Sequence, residues 1–257
     1  HFPVRHVFQE DLGYRLSEVR NLGVREANHD QIIILDCDML PEPTLVESYM
    51  QYMHVGTKAV LIGGRRYVNT DELSIQSVLD DIEPVLSLPT QRVDTGRGPE
   101  GDEAPSEDWR YKFYADSNNA KDDQYAFRWL CGGNICFHRP LHDAVGGFDE
   151  SFTAWGAEDQ EYGYRMYAAG AWFIPVENAV GLHQEPPGGS NETDRDAGRS
   201  ITREQLIEKC PAMYRKSEKD RIYEVPKVTV YIPAYNCVDF IEQAVESALN
   251  QTFTDLD

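Results

Sequence analysis

Two aspartates one residue apart, Asp36 and Asp38, stand directly behind the apolar run from Ile32 to Leu35. Carboxylates at the carboxyl end of a buried strand lie where open α/β sheets bind ligands, and such a pair suits Mg²⁺ or Mn²⁺ held against a diphosphate. The triplet alone is a weak signal, because it recurs at Asp194/Asp196 and Asp255/Asp257 behind no such run. The plainer alternative is that Asp36 and Asp38 only cap the turn into Pro41. Farther along, Trp155-Gly156-Ala157-Glu158-Asp159 sets an indole, a glycine and two acids at the start of a predicted helix. One acid there can accept a proton from a sugar hydroxyl while the indole stacks on the apolar face of the sugar. Alternatively, Glu158 and Asp159 simply complement the helix dipole. His183, just ahead of a Pro-Pro turn, offers a neutral imidazole as a third ligand for Mn²⁺. A lone histidine is more often structural, and only its combination with Asp38 lifts this one. Gly132-Gly133 lets backbone approach a donor sugar, or merely makes a tight turn.

The elements that must position these residues alternate along the chain. Apolar residues at Leu16, Val19, Leu22 and Ala27 predict a helix from Tyr14 to Asn28. Gln31 to Leu35, β-branched and without polar alternation, predicts a strand inside a parallel sheet. A helix from Thr44, as a cap, to Gly56 and a strand from Ala59 to Ile62 follow, ending at Gly63-Gly64. Between about Asn69 and Arg128 the pattern lapses into Pro, Gly and acidic residues, including Thr95 to Asp108, which predicts a mobile flap. Regular structure resumes with an ordered segment from Trp129 to Phe137 and a short helix at Pro140 to Val145. A helix from Ala157 to Ala169 closed by Gly170 and a strand from Ala171 to Val176 precede a loop beyond Pro187, then a helix from Thr202 to Cys210. A second strand and helix, Val228 to Ile232 and Asp239 to Asn250, restart the pattern after a charged linker. Helix alternating with strand places the fold in the α/β class.

Composition narrows the partners. The chain of 257 residues carries 24 Lys+Arg against 44 Asp+Glu, a formal charge of −20, which repels a nucleic-acid backbone. A carboxylate-held divalent cation reverses that sign locally, so a sugar nucleotide stays admissible. The longest apolar run is far short of the ~20 residues of a membrane-spanning helix, so no transmembrane segment is expected. Five scattered cysteines, Cys37, Cys131, Cys136, Cys210 and Cys237, fit neither a zinc site nor a disulfide scaffold, and point to a reducing cytoplasm.

These residues converge on a family. The chain resembles the bacterial two-domain glycosaminoglycan polymerases, the chondroitin and hyaluronan synthases, built from tandem family 2 glycosyltransferase modules. The resemblance runs through YRLSEVRNLG at Tyr14 to Gly23, LDCDM at Leu35 to Met39, DWR at Asp108 to Arg110 and Gly132 to Asn134. It continues through WGAEDQEYGYRMY at Trp155 to Tyr167 and HQEPPGGSNETDRD at His183 to Asp196. Tyr231 to Asn236 with Val245 to Thr252 looks like the opening of a second module. The resemblance implies a Rossmann-like GT-A fold, a UDP-sugar donor, an oligosaccharide or polysaccharide acceptor, and Mn²⁺ or Mg²⁺ as cofactor. It also implies Asp38 and His183 as metal ligands, Asp36 near the ribose or metal, and Arg20, Asn21, Gly132 and Gly133 on the donor side. Asp159 would be the catalytic base, with Glu158 and Trp155 toward the acceptor. A cytoplasmic location, with the inner face of the cell membrane as an alternative station, fits the same resemblance.

Against the family pattern, the first module lacks its opening strand and uridine contact, since residue 1 falls after them. The expected organisation is therefore residues 1–210 as the later part of a first GT-A module, 211–226 as a linker, and 227–257 as the start of a second module. Val228 to Asn250, of the same type as the missing strand and helix, is expected to dock beside Ile32 to Leu35. The function implied is an inverting transfer of an N-acetylhexosamine, GalNAc or GlcNAc, onto a growing polysaccharide. Two other readings compete: a glycan-binding module that does not transfer, and phosphoester hydrolysis through Asp36 and Asp38, which leaves the Trp155 motif without a purpose.

Overall fold

Alternating side chains on the strands explain why no polar periodicity marks them. In β3, Ala59–Val68, and β4, Asn134–His138, the residues Val60, Ile62, Ile135 and Phe137 point to one core, while Ala59, Leu61 and Cys136 point to another. Both faces of the sheet are thus covered, and each fully buried Leu, Ile or Phe contributes about 1.5–3 kcal/mol. The first core lies under α1, Leu16–Glu26, α6, Arg139–Ala144, and α7, Glu158–Ala168; the second lies under α2, Leu45–Met50. The computed structural model describes residues 3–91, 108–123, 125–184, 195–210, 232 and 238–250.

Among the described residues the sheet has five strands in the order β1-β4-β3-β5-β2, with β1 at Gln31–Leu35, β2 at Met39–Pro41 and β5 at Trp172–Gln184. The predicted strand at Gln31 to Leu35 is present, but its setting differs: β1 is an edge strand, antiparallel to β4. An unbroken apolar run reports that both faces are covered; it carries no information about strand direction or about the number of neighbours. Parallel pairing occurs between β3 and β5 instead. The strand expected to stop at Gly63 runs on to Val68, and β5 runs on to Gln184, because an irregularity at Gly63/Gly64 lets Glu177, Asn178 and Ala179 loop out without ending the pair. Gly63 is required there, since a β-carbon would collide with Asn134 and Tyr49.

The region expected to be a flap is partly helical. Three short helices, α3 at Ile75–Asp80, α4 at Glu83–Leu86 and α5 at Arg110–Asp116, form within it, the first capped by Ser74, and Asp108 is buried. Residues 92–107, where Thr95 falls, lie outside the described set. Thr44 occupies the N-cap position of α2 but makes no capping hydrogen bond with its side chain. The helix predicted from Thr202 begins earlier, as α8 at Arg195–Lys209, within the segment expected to be loop.

The chain divides into two compact units, His1–Tyr214 and Arg215–Asp257. In the second, α9, Val238–Leu249, occupies the predicted amphipathic helix. The linker 211–226 and, apart from Ile232, the strand predicted from Val228, with its expected docking, lie outside the described residues. Among the described residues no helix is long and apolar enough to cross a membrane.

Candidate active site

The turn Asp36-Cys37-Asp38 joins β1 to β2, strands at opposite edges of the sheet, so its two aspartates part company. On the β2 side, Met39 stands opposite His183 of β5, and the Gln184 amide donates to the Asp38 carbonyl at 2.9 Å. This register brings His183 Nε2 to 3.1 Å from Asp38 Oδ2. The hydrogen bond from His183 holds the Asp38 carboxyl below its usual range, against the opposing effect of burial. Asp38 Oδ1 is buried without a hydrogen-bond partner. A carboxylate and an imidazole close enough for one ion to bond both, with one oxygen unsatisfied, fit a hard divalent cation. Asp36, expected near the ribose or metal, lines the same cleft but accepts a hydrogen bond from Arg20, and among the described residues no group of three or more His, Cys, Asp or Glu gathers around a metal position. Any further ligands would come from the substrate or water.

Asp36 turns to Arg20 on α1, which gathers three carboxylates. Its guanidinium donates to Asp36 Oδ1 at 2.9 Å, to Asp159 Oδ1 at 2.7 Å and to Glu158 Oε1 at 3.4 Å. Burial disfavours the Arg20 charge, yet Asp159, Asp36 and Glu158 together hold it more firmly protonated than usual. Burial first and the Asp159 charge second push the Glu158 carboxyl up to about 8. The same causes, burial and then Glu158 and Asp159, raise the neighbouring Tyr14 hydroxyl. Gly132 and Gly133 serve this packing: a β-carbon on Gly132 would lie 2.5 Å from both Arg20 Nη1 and Asp159 Oδ1, and one on Gly133 would collide with the Asp36 carboxylate. They let protein side chains approach, a role beside the two the sequence suggested, a donor contact and a tight turn.

Glu158 and Asp159 open α7, aimed by a left-handed turn at Gly156 (φ 99°) and Ala157 (φ 71°). For alanine this conformation costs about 1–2 kcal/mol, a strain of the kind that gathers at functional sites. Trp155 is fixed by α8. Arg199 and Arg195 lie over its ring at 5.0 and 5.5 Å, and Thr202 donates to its carbonyl at 3.3 Å. The indole is therefore a platform with guanidinium groups already against it.

One cleft of about 240 Å³ is lined by Asp36, Asp38, His183, Arg20, Gly133, Trp155, Glu158 and Asp159. Asn21, expected beside Arg20, is not brought there. One residue on from Arg20, it points to another side of α1, where its amide donates to the Phe148 carbonyl at 2.9 Å and accepts from the Phe148 N–H at 2.8 Å. Sequence reasoning missed Tyr14, Arg65, Tyr67, Arg195 and Arg199, which also line the cleft. A signal for three of them existed: in so acidic a chain, Arg65 comes just after the run Ala59 to Ile62 predicted as a strand, and Arg195 and Arg199 are spaced four apart, one helical turn.

Residues 2–129 match the family model for glycosyl transferase family 2, and residues 115–181 match that for the N-terminal domain of galactosyltransferase. Chondroitin synthase of Escherichia coli is 44% identical over 99% of this chain, and hyaluronan synthase of Pasteurella multocida 39% identical over 99%. The chain spans 38% of the first and 26% of the second. Among solved structures, the mannosyltransferase PcManGT from Pyrobaculum calidifontis, in complex with GDP-Man and Mn²⁺, aligns over 79% of this chain and 44% of its own, at 18% identity and a TM-score of 0.43. The chain is a homologue of the chondroitin and hyaluronan synthases and belongs to glycosyl transferase family 2.

Proposed function

We propose that the chain transfers an N-acetylhexosamine, GalNAc or GlcNAc, from a UDP-sugar to a growing glycosaminoglycan-like chain, with inversion at the transferred carbon. The observation that supports this best is the convergence of Asp38 and His183 with Trp155, Glu158 and Asp159 on one cleft. Asp38 and His183 would hold Mn²⁺ or Mg²⁺, which when bound supplies a positive charge for the diphosphate. Asp159 takes the proton of the acceptor hydroxyl as the hydroxyl oxygen bonds to the sugar carbon and the bond from that carbon to the diphosphate breaks, UDP leaving with the electron pair. Arg20 holds Oδ1 of that carboxylate and leaves Oδ2 to accept the proton. Glu158, neutral below about 8, is a hydrogen-bond donor for an acceptor hydroxyl. Trp155 lines the acceptor side. A positioned base is worth roughly 10²–10⁴-fold in rate.

The test incubates the full-length protein with a panel of UDP-sugars, with and without Mn²⁺, and records UDP release. One UDP-N-acetylhexosamine should be consumed when acceptor is present, and Asp159→Asn should lower turnover by about 10²-fold or more while UDP still binds. Unchanged turnover removes Asp159 from the role. Glycan binding with no UDP release from any donor favours a non-catalytic glycan-binding module.

A further inference from the structure

The Asp108–Arg110 pair, quoted above among the family motifs, has no part in the proposed reaction, yet it is the most deeply buried ion pair described. Its side chains are 0% and 1% exposed. Arg110 Nε donates to Asp108 Oδ1 at 2.9 Å, and its Nη2 to Oδ2 at 2.5 Å and to the Gly63 carbonyl at 2.8 Å. Its Nη1 reaches the Trp129 carbonyl at 3.2 Å, so one guanidinium ties α5 to β3 and to the segment entering β4. Both carboxylate oxygens of Asp108 accept from Arg110, and burial, which would raise the Asp108 pKa, is overcome chiefly by that charge.

Arg65 leans on the same carboxylate. Its backbone N–H donates to Asp108 Oδ2 at 3.2 Å, but its Nε is 3.9 Å away and buried without a hydrogen-bond partner. Nη1 makes a long bond of 3.4 Å to the Tyr67 hydroxyl, and the Tyr67 ring stands 5.1 Å from that of His183. Two guanidinium groups thus share one carboxylate, and the second, with a side chain 13% exposed, lines the cleft within electrostatic reach of Asp38. The other cleft cations are differently placed: Arg20 is bound by three carboxylates, and Arg195 and Arg199 lie against Trp155. A largely buried guanidinium held this loosely is costly unless an anion completes its shell.

We infer that Arg65, propped by the Asp108–Arg110 strut, forms an oxyanion subsite that takes a phosphate oxygen of the nucleoside-diphosphate sugar beside Asp38 and His183. This rests on the proposed sugar transfer. A guanidinium fork matches phosphate geometry. As the bond from sugar carbon to diphosphate oxygen breaks, its electron pair stays on the diphosphate, and the pairing with Arg65 strengthens as that charge grows.

Calorimetry on the intact chain distinguishes the two claims, with UDP, inorganic pyrophosphate and uridine as titrants. Arg65→Met should weaken UDP and pyrophosphate about 10- to 100-fold, the worth of a hydrogen bond to a charged group, and leave uridine unchanged. Arg65→Lys, which keeps the charge without the fork, should fall between. Unaltered UDP and pyrophosphate affinity in Arg65→Met overturns the subsite and leaves the transfer reading standing. Absence of UDP binding by the unmutated chain, with or without Mn²⁺, overturns both. Should Arg65→Met not fold, pyrophosphate in EDTA decides: it should raise the melting temperature of the unmutated chain, and no rise overturns the subsite.

Discussion

Arg20 balances charge from two separate stretches of sequence, Asp36 and the adjacent Glu158 and Asp159, and its loss would leave the Asp36 and Asp159 carboxylates crowded beside the buried Glu158 without the cation that joins them. Breaking a buried pair from one side typically costs about 3–5 kcal/mol. Arg20→Met should therefore lower stability by about that amount, read by urea denaturation. Glu158 gives stability a pH dependence of a definite sign. The folded chain keeps its proton up to about 8, whereas the unfolded chain releases it near the ordinary value of about 4.3. The folded state therefore binds more protons across that window, and this contribution to stability falls as pH rises through it and levels off above. Glu158→Gln should flatten the decline, measured by urea denaturation at several pH values between about 5 and 8. Asp38 acts in the opposite sense: with its pKa held down by His183, it adds stability above the normal carboxylate range that is lost on acidification.

At the scale of elements, α8 supports the tryptophan through one glycine. A β-carbon on Gly198 would stand 2.9 Å from both the backbone nitrogen and oxygen of Trp155. Gly198→Ala should push the helix off this contact at a cost of about 1–3 kcal/mol, seen as a lower melting temperature, with weakened acceptor binding. What the sequence made legible at this scale was periodicity. The bounds of β1 and the placing of α7 followed from local patterns, whereas the run of β5 beyond Val176 to Gln184, which carries His183, did not. Strand order did not, because antiparallel pairing of β1 with β4 depends on residues about a hundred positions apart. The start of α8 was hidden for a related reason: Arg195 to Arg199 is polar and glycine-containing, and its helicity depends on packing against Trp155.

For the molecule as a whole, the candidate site was legible as a set of residue types and illegible as a network. Asp38, His183 and Asp159 were identified from chemistry and resemblance, and the cleft does collect them. That Asp36 serves Arg20, and that Arg65 stands on a buried strut, needed three dimensions, since such partners are fixed by sheet register and helix phase. The formal charge of −20 concealed a cleft walled by four arginines. The grip of Arg20 has a further consequence. Asp36 lies toward the expected donor and Asp159 toward the expected acceptor, and they share one cation. Whatever draws Asp36 away leaves that cation more attached to Asp159, so occupancy at one end of the cleft is felt at the other. Thermodynamic reciprocity makes the influence equal in both directions, so in the proposed transfer the two substrates would be coupled through a single guanidinium.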